Sequence, residues 1–350
     1  MDKQNRWFTP ALIIGAFVTT GVYFFIWPTR QVEADSGHRV VMGTFARIVA
    51  IASNSSAANK CIQAGFEQLE SIDNLMSGYK TDSELTRLND AAYQRPVKVS
   101  QPLFEVLQSS VAFSRKTEGA FDITVGPLVD LYRSAADEKV APSPEQIEQA
   151  KEKVGFEKLK LDEKNKTVKF TVNGMKIDLG GIAKGYAIDK AVEVMQTCGA
   201  IGGMVDVGGD IRCFGAPPRD KNTWLVGLQD PAETEVAIGT GKLLLTLTVS
   251  DAAVTTSGDY RRFVLIDGKK YSHIMNRKTG SSAEALSSVT IIAKNATQAD
   301  ALATAVSVMG QEKGLALIEK ITQTEAILIS SAPNFDRVQT SSAEKYIYKK

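Results

Sequence analysis

Residues 7–27, WFTPALIIGAFVTTGVYFFIW, carry no charge over 21 positions. A run of this length spans a bilayer as a helix, because the helix satisfies its own backbone groups and leaves apolar side chains facing lipid. Lys3 and Arg6 precede it, so the positive-inside rule keeps the N-terminus in the cytoplasm and exports the chain beyond Arg30. Trp7 and Trp27 stand where interfacial aromatics belong. A cleavable signal peptide competes with this reading, since Val32-Glu33-Ala34 resembles a small-residue cleavage site. The apolar run exceeds an ordinary signal core, which favours an uncleaved anchor. The expected layout is a membrane anchor over 1–30, a polar linker over 31–38 and one domain over 39–345. That domain is expected outside the bacterial inner membrane, on the periplasmic side.

The exported part has ordinary globular character. Hydrophobic residues make up 43% of the chain and charged residues 23%, enough apolar material for a full core. The formal net charge is +1 and no Lys/Arg-rich block occurs, which excludes a nucleic-acid footprint. Cys61, Cys198 and Cys213 are too few and too scattered for a disulfide framework or a zinc site. They read as small buried apolar residues, with a Cys198–Cys213 bridge as the alternative.

Hydrophobic spacing outlines the elements. Residues 39–52 are β-rich. Ile62, Phe66, Leu69, Ile72 and Met76 recur at helical spacing over 56–76, and a second helix is expected over 101–116. The tract 77–95 reads as a polar loop, Gly119 as a helix stop, and 142–155 as a short exposed helix starting at proline. Residues 157–181 suggest three strands, with Asn173-Gly174 as a hairpin turn. A helix is expected over 184–197 and a strand over 203–214. Short strands and turns, including Asp267-Gly268, fill 222–295. A helix over 297–310 and a helix and strand over 311–331 close the pattern. Hairpins with interspersed helices predict an α+β fold, largely antiparallel.

The stretch DLGGIAKGYAIDKA, 178–191, ends an apolar run in a glycine-rich turn that leads into a helix. Glycines there let backbone N–H groups approach a phosphate closely. The pattern is neither GxxxxGK[ST] nor GxGxxG, and a plain glycine turn with a surface lysine explains it equally well. Asp300 and Thr304 stand four apart on one helical face and offer oxygens to a hard cation, or a dipole partner and a packing threonine. His273 and His38 are the histidines of the chain. His273 is either a surface residue or a proton-transfer group near its working pH. Tyr79 is a loop anchor or a platform for a flat heterocycle.

Eight pieces in order change the balance: VMGTFARI, MSGYKTDSELTRLN, GAFDITVGPLVDLY, DLGGIAKGYAID, DVGGDI, TTSGDY, SHIMNRKTG and ADALATAVSVMG. Together they resemble the ApbE family of FAD:protein FMN transferases over roughly residues 40–330. The resemblance implies FAD as substrate and Mg²⁺ as cofactor. It implies FAD contacts at Met42, Tyr79, Ala120, Phe121, Asp122, Asp178, Lys184 and Ile274, and metal ligands at Gly181 (through its carbonyl), Asp300 and Thr304. His273 falls on the position expected to take the proton from an attacking hydroxyl. The implied partners are flavin-acceptor redox proteins outside the cytoplasmic membrane. Water in place of the acceptor would make an FAD pyrophosphatase, and loss of turnover a membrane-tethered flavin-binding protein. Two departures stand out. Ala303 replaces an aspartate found in some members, and Asn276-Arg277 replaces the usual Asp-Pro.

Overall fold

A computed structural model describes residues 31–217, 222–232, 242–258 and 263–349. The 7–27 run expected to form the membrane helix lies outside the described residues. Among the described residues no helix is long and apolar enough to cross a membrane.

The framework is an antiparallel sheet built largely from hairpins. β1 (Val32–Val41) and β2 (Thr44–Ala52) are joined by the two-residue turn Met42-Gly43, with φ of +53° and +68°. Both positive angles match the primed turns that follow strand twist, and Gly43 adopts its angle without a Cβ penalty. β6 (Gly202–Val207) and β7 (Asp210–Phe214) close around Gly208-Gly209. With β10 (Ala253–Gly258), β13 (Leu286–Ala293), β14 (Glu325–Ser330) and β15 (Arg337–Gln339) they form eight strands in the order β1-β2-β6-β7-β10-β13-β14-β15.

Both faces of this sheet are covered. Ile48, Ala50, Val205, Val289, Ile291 and Leu328 join the core beneath the helices. Their alternating neighbours Val49, Ile51, Val254, Ile292 and Ile327 join a second core with Trp224, Val226, Leu247 and Val249. The latter belong to the ribbon of β8 (Trp224–Gln229) and β9 (Leu243–Val249). Two covered faces explain why β13 is buried at all eight positions, Ser287, Ser288 and Thr290 included.

The helical layer begins with α1 (Ser55–Met76). Asn54 caps it by accepting from Ala57 N at 2.9 Å, and its buried stripe is the one the spacing predicts. α1 packs on α6 (Ala183–Thr197), where Gly65 faces Met195. α7 (Ala296–Met309) lies against α6 and over β10 and β13, and its many alanines permit that closeness. α3 (Gln101–Lys116) matches its expected range. α4 (Gly126–Glu138) and α5 (Pro144–Lys151) carry a third apolar cluster with the hairpin of β11 (Phe263–Ile266) and β12 (Lys269–Ser272). That hairpin turns at Asp267-Gly268 as expected. α8 (Gln311–Ile318) precedes β14.

Several expectations need correction. The linker placed at 31–38 is mostly strand, because β1 pairs with β2 from Val32 onward and Asp35 accepts from Arg47 Nε at 3.0 Å. The 77–95 loop contains α2 (Glu84–Ala91), capped by Ser83, with only Leu85 and Leu88 buried; so short a helix leaves little periodicity to detect. The expected strand 203–214 is a hairpin. Among 157–181 only β4 (Leu159–Asp162) and β5 (Thr167–Phe170) form, turning before Asn173. β5 also pairs with the short β3 (Val97–Lys98). After Gly174 the chain instead bridges Val125 through Lys176 in parallel. The Cys198–Cys213 bridge does not form. All three thiols are free, and Cys213 lies in the core under the ribbon. Cys198 neighbours Cys61, whose thiol burial and that neighbour push up to about 12.

Asn89 of α2 explains the straight run into 178. Its Nδ2 donates to Ile177 O at 3.0 Å and its Oδ1 accepts from Ile177 N at 2.8 Å, replacing a missing strand neighbour. Asn89→Ala should therefore cost about 1–3 kcal/mol, since two backbone groups lose their partner. Chemical denaturation checks this; an unchanged midpoint would show that water substitutes fully.

Candidate active site

The DLGGIAKG loop is held at both ends. Asp178 N donates to Ile123 O at 2.7 Å, and Asp178 Oδ1 accepts from Gly180 N at 2.7 Å. The chain then enters α6 at Ile182, which has no side-chain acceptor to cap the helix. An uncapped helix start behind glycines suits an anionic ligand.

α7 supplies the opposite wall. Asp300 is buried, and its Oδ2 accepts from Gly185 N at 3.0 Å. A Cβ added to Gly185 would overlap the Ala296 carbonyl and stand 2.9 Å from Asp300 Cβ. A Cβ added to Gly181 would stand 2.7 Å from Thr304 Oγ1. The structure thus brings Gly181, Asp300 and Thr304 together, although 119 residues or more separate the loop from the helix residues in sequence. A carboxylate, a hydroxyl and a nearby backbone carbonyl are hard oxygen donors, and the set fits Mg²⁺. Among the described residues no group of three or more His, Cys, Asp and Glu is placed to hold a metal.

Lys184 forms a short ion pair with Asp210 of the DVGGDI turn, whose side chain is 2% exposed. Asp210 Oδ1 also accepts from Thr256 N at 3.1 Å. Asp210 therefore balances and aims the lysine, a role that sequence reading missed although the motif was visible. Gly208 packs on Thr44, and its N donates to Phe45 O at 2.8 Å. These contacts bring the Met42-Gly43 turn, the Gly208-Gly209 turn and the start of α6 to one end of the sheet.

Of the remaining positions, the 120–122 segment adjoins the loop through Ile123, whose carbonyl accepts from Asp178 N. Ala120 is half-buried and Phe121 buried. Asp122 is taken up by the protein: its Oδ1 accepts from Thr124 N and Oγ1 at 2.9 and 2.7 Å. Its Oδ2 accepts from Phe156 N at 3.0 Å and Arg277 Nη1 at 2.9 Å. A ligand at 120–122 thus meets backbone rather than this carboxylate. His273 is exposed on the loop after β12, while the Ile274 side chain is buried. Asn276 shapes that loop. Its Oδ1 accepts from Lys278 N at 2.9 Å, and its carbonyl accepts from Gly280 N at 2.8 Å. Tyr79 is 77% exposed, with the Arg133 guanidinium 5.2 Å from its ring centroid.

A separate cleft of about 500 Å³ opens between α3, α6 and the start of α7. None of the expected site residues lines it. Asp189, at its edge, is already committed to caps and pairing. It accepts from Ala296 N at 2.8 Å, Thr297 N at 2.9 Å and Arg212 Nη1 at 2.7 Å. Nearby, Glu105 accepts from Tyr186 at 2.7 Å. Burial opposes ionisation of Glu105, yet Gln101, Tyr186 and Lys190 together hold its carboxyl below the usual range. The tyrosine is pushed up by burial and by that carboxylate.

An α+β fold thus gathers sheet turns, a glycine loop and a helix with one buried aspartate at one end. The ApbE family model matches residues 42–328, and the chain belongs to the ApbE family. It is 31% identical over 326 residues to the FAD:protein FMN transferase of Vibrio cholerae, covering 92% of this chain and 94% of that protein. To the FAD:protein FMN transferase of Escherichia coli K12 it is 34% identical over 300 residues, 83% of each chain. The ApbE protein of Thermotoga maritima superposes with a TM-score of 0.79 at 30% identity, covering 91% of this chain and all of that one. The flavin transferase ApbE of Vibrio cholerae gives 0.75 at 30% identity, covering 91% and 99%.

The helix contact gives a direct test. Gly185→Ala should destabilise the fold by about 1–3 kcal/mol through overpacking, because backbone rather than a flexible side chain blocks the new methyl. Gly181→Ala should cost less, since Thr304 can rotate. Denaturant midpoints of the two variants check the order; equal, wild-type midpoints would mean that α6 and α7 are not in tight contact.

Proposed function

We propose that this chain transfers FMN from FAD to a threonine or serine hydroxyl of an acceptor protein and releases AMP. The observation that carries the reading is the contact of the DLGGIAKG loop with Asp300 and Thr304 of α7. Family membership and the names of the relatives support it. In the proposed step the acceptor oxygen bonds to the FMN-side phosphorus. The bond from that phosphorus to the bridging oxygen breaks, and AMP leaves with that oxygen. His273 takes the hydroxyl proton, and its exposure suits contact with a protein substrate. Tyr79, with one face against Arg133, offers its other face to the isoalloxazine. Lys184, aimed by Asp210, faces phosphate charge. Bound Mg²⁺, held by Asp300, Thr304 and the Gly181 carbonyl, would supply charge neutralisation at the phosphates.

Although Asn276-Arg277 is also the departure that would fit a binding protein without turnover, Asn276 keeps the loop shape that turnover needs. Its turn-forming bonds use Oδ1, an acceptor that aspartate shares, so the exchange preserves the loop. The deciding experiment incubates the protein with FAD, Mg²⁺ and a candidate acceptor. Covalent FMN on the acceptor is expected. AMP with free FMN would make the chain a pyrophosphatase, and intact FAD a binding protein.

Substitutions at Asp300 and His273 probe the two halves of this chemistry. Asp300→Asn keeps an acceptor for Gly185 N and should lower turnover at limiting Mg²⁺ by roughly 10²-fold. Asp300→Ala should also cost stability, because the aspartate is buried and bonded to α6. Near-normal turnover of Asp300→Asn would refute the metal assignment. His273→Ala should slow transfer roughly 10²–10⁴-fold with FAD binding retained, and an unchanged rate would remove the histidine from the mechanism.

We place the catalytic domain outside the cytoplasmic membrane, tethered by residues 7–27, with flavinylated redox proteins there as acceptors. The uncharged run and Lys3/Arg6 support this. A periplasm-sensitive reporter fused after Arg30 should be active and sediment with membranes; mature protein in the soluble fraction would refute the tether.

A further inference from the structure

Arg277 follows Asn276 in the loop that carries His273. Its Nη1 donates to Asp122 Oδ2 at 2.9 Å and to Glu157 Oε2 at 3.0 Å. The guanidinium carbon lies 5.1 Å from the Phe156 ring centroid. Gly119 completes the socket, since a Cβ there would overlap the guanidinium. The Asp122 side chain is 1% exposed and that of Arg277 19%. A charge-assisted bond between such groups is stronger than one between neutral partners.

The socket belongs entirely to other segments, 119–122 and 156–157. The histidine loop is anchored on its own side differently. Met275 packs with Leu128 and Tyr132 of α4, and Gly280 abuts Ile147 of α5. Asn276 closes the turn internally. Arg277 is the contact that reaches from this loop to the segment expected to meet the flavin nucleotide. Without it Asp122 keeps Thr124 N, Thr124 Oγ1 and Phe156 N, so the 120–122 segment stays in place while the loop loses its register against it.

We propose that Arg277 is a positioning residue, which sets the His273 loop against the 120–122 segment through Asp122 and Glu157. The catalytic consequence rests on the transferase reading above; the mechanical tie does not. Displacing a reacting group by about 1 Å can cost 10²-fold in rate, so Arg277→Ala should lower kcat for transfer roughly 10–100-fold. The Kd for FAD should change by less than about threefold, because the interaction matters in the reacting complex rather than in substrate binding. Arg277→Lys should recover part of the rate, since an ammonium reaches one carboxylate but lacks the fork.

The test measures amide hydrogen exchange together with single-turnover transfer for wild type, Arg277→Ala and Arg277→Lys. Exchange over 273–283 should quicken in Arg277→Ala with 120–125 unchanged, and kcat should fall in the order wild type, Lys, Ala. Unchanged exchange over 273–283 would overturn the proposal, as would FAD affinity falling in parallel with kcat. If wild type transfers no flavin, the functional reading fails by itself, and the exchange arm still decides the tie.

Discussion

The close approach of α6 to α7 at Gly185 is the constraint on which the site depends. The amide of α6 reaches the buried Asp300 carboxylate only because no side chain intervenes at Gly185 or Gly181. The same closeness sets Thr304 beside the glycine loop. The alanines of α7 and the doubly covered sheet beneath it hold this contact rigidly, since close-packed cores do not deform continuously. Geometry at the loop is therefore inherited from the core rather than from the loop itself.

Buried carboxylates divide the labour around this contact. Asp122 and Asp189 are each surrounded by backbone and side-chain donors, and both pin segments distant in sequence. Asp210 neutralises and directs Lys184. Asp178 is half-buried and holds its own turn. Burying a carboxylate is costly unless it is paired or well hydrogen-bonded, and each of these has its partners. The acids of the motifs are thus partly scaffold and partly ligand wall, and residue type alone does not separate the two.

Much of this was legible in the sequence. The helices at 56–76, 101–116, 184–197 and 297–310 carried strong periodicity or clear stops, and their ranges agree to within two residues. The Asp267-Gly268 hairpin needed only its turn chemistry. What escaped was short or non-local. α2 buries two side chains, too few for a pattern. Asn173-Gly174 has the right residues for a hairpin, yet the chain beyond it is recruited by Val125 and Asn89, partners that no local rule identifies. The resemblance singled out residues that the structure gathers in part, Gly181 with Thr304 and Gly185 with Asp300, but not that Asp122 is spent on Arg277 or that Asp210 directs Lys184. Such pairings cross 155 and 26 positions of chain.

The excursion that carries His273 leaves the sheet after Gly258 and returns at Leu286, and Gly258 is paired with Ser288 across adjacent strands. Its two ends are therefore neighbours fixed by the sheet, whatever lies between them. Loop-closure entropy grows only slowly with length, so this segment can lengthen, shorten or change composition at little cost to the framework. The fold in effect has a port: a module that bears His273 is mounted on two rungs of a ladder. Divergence can be confined there, while the contact of the glycine loop with α7 stays constant.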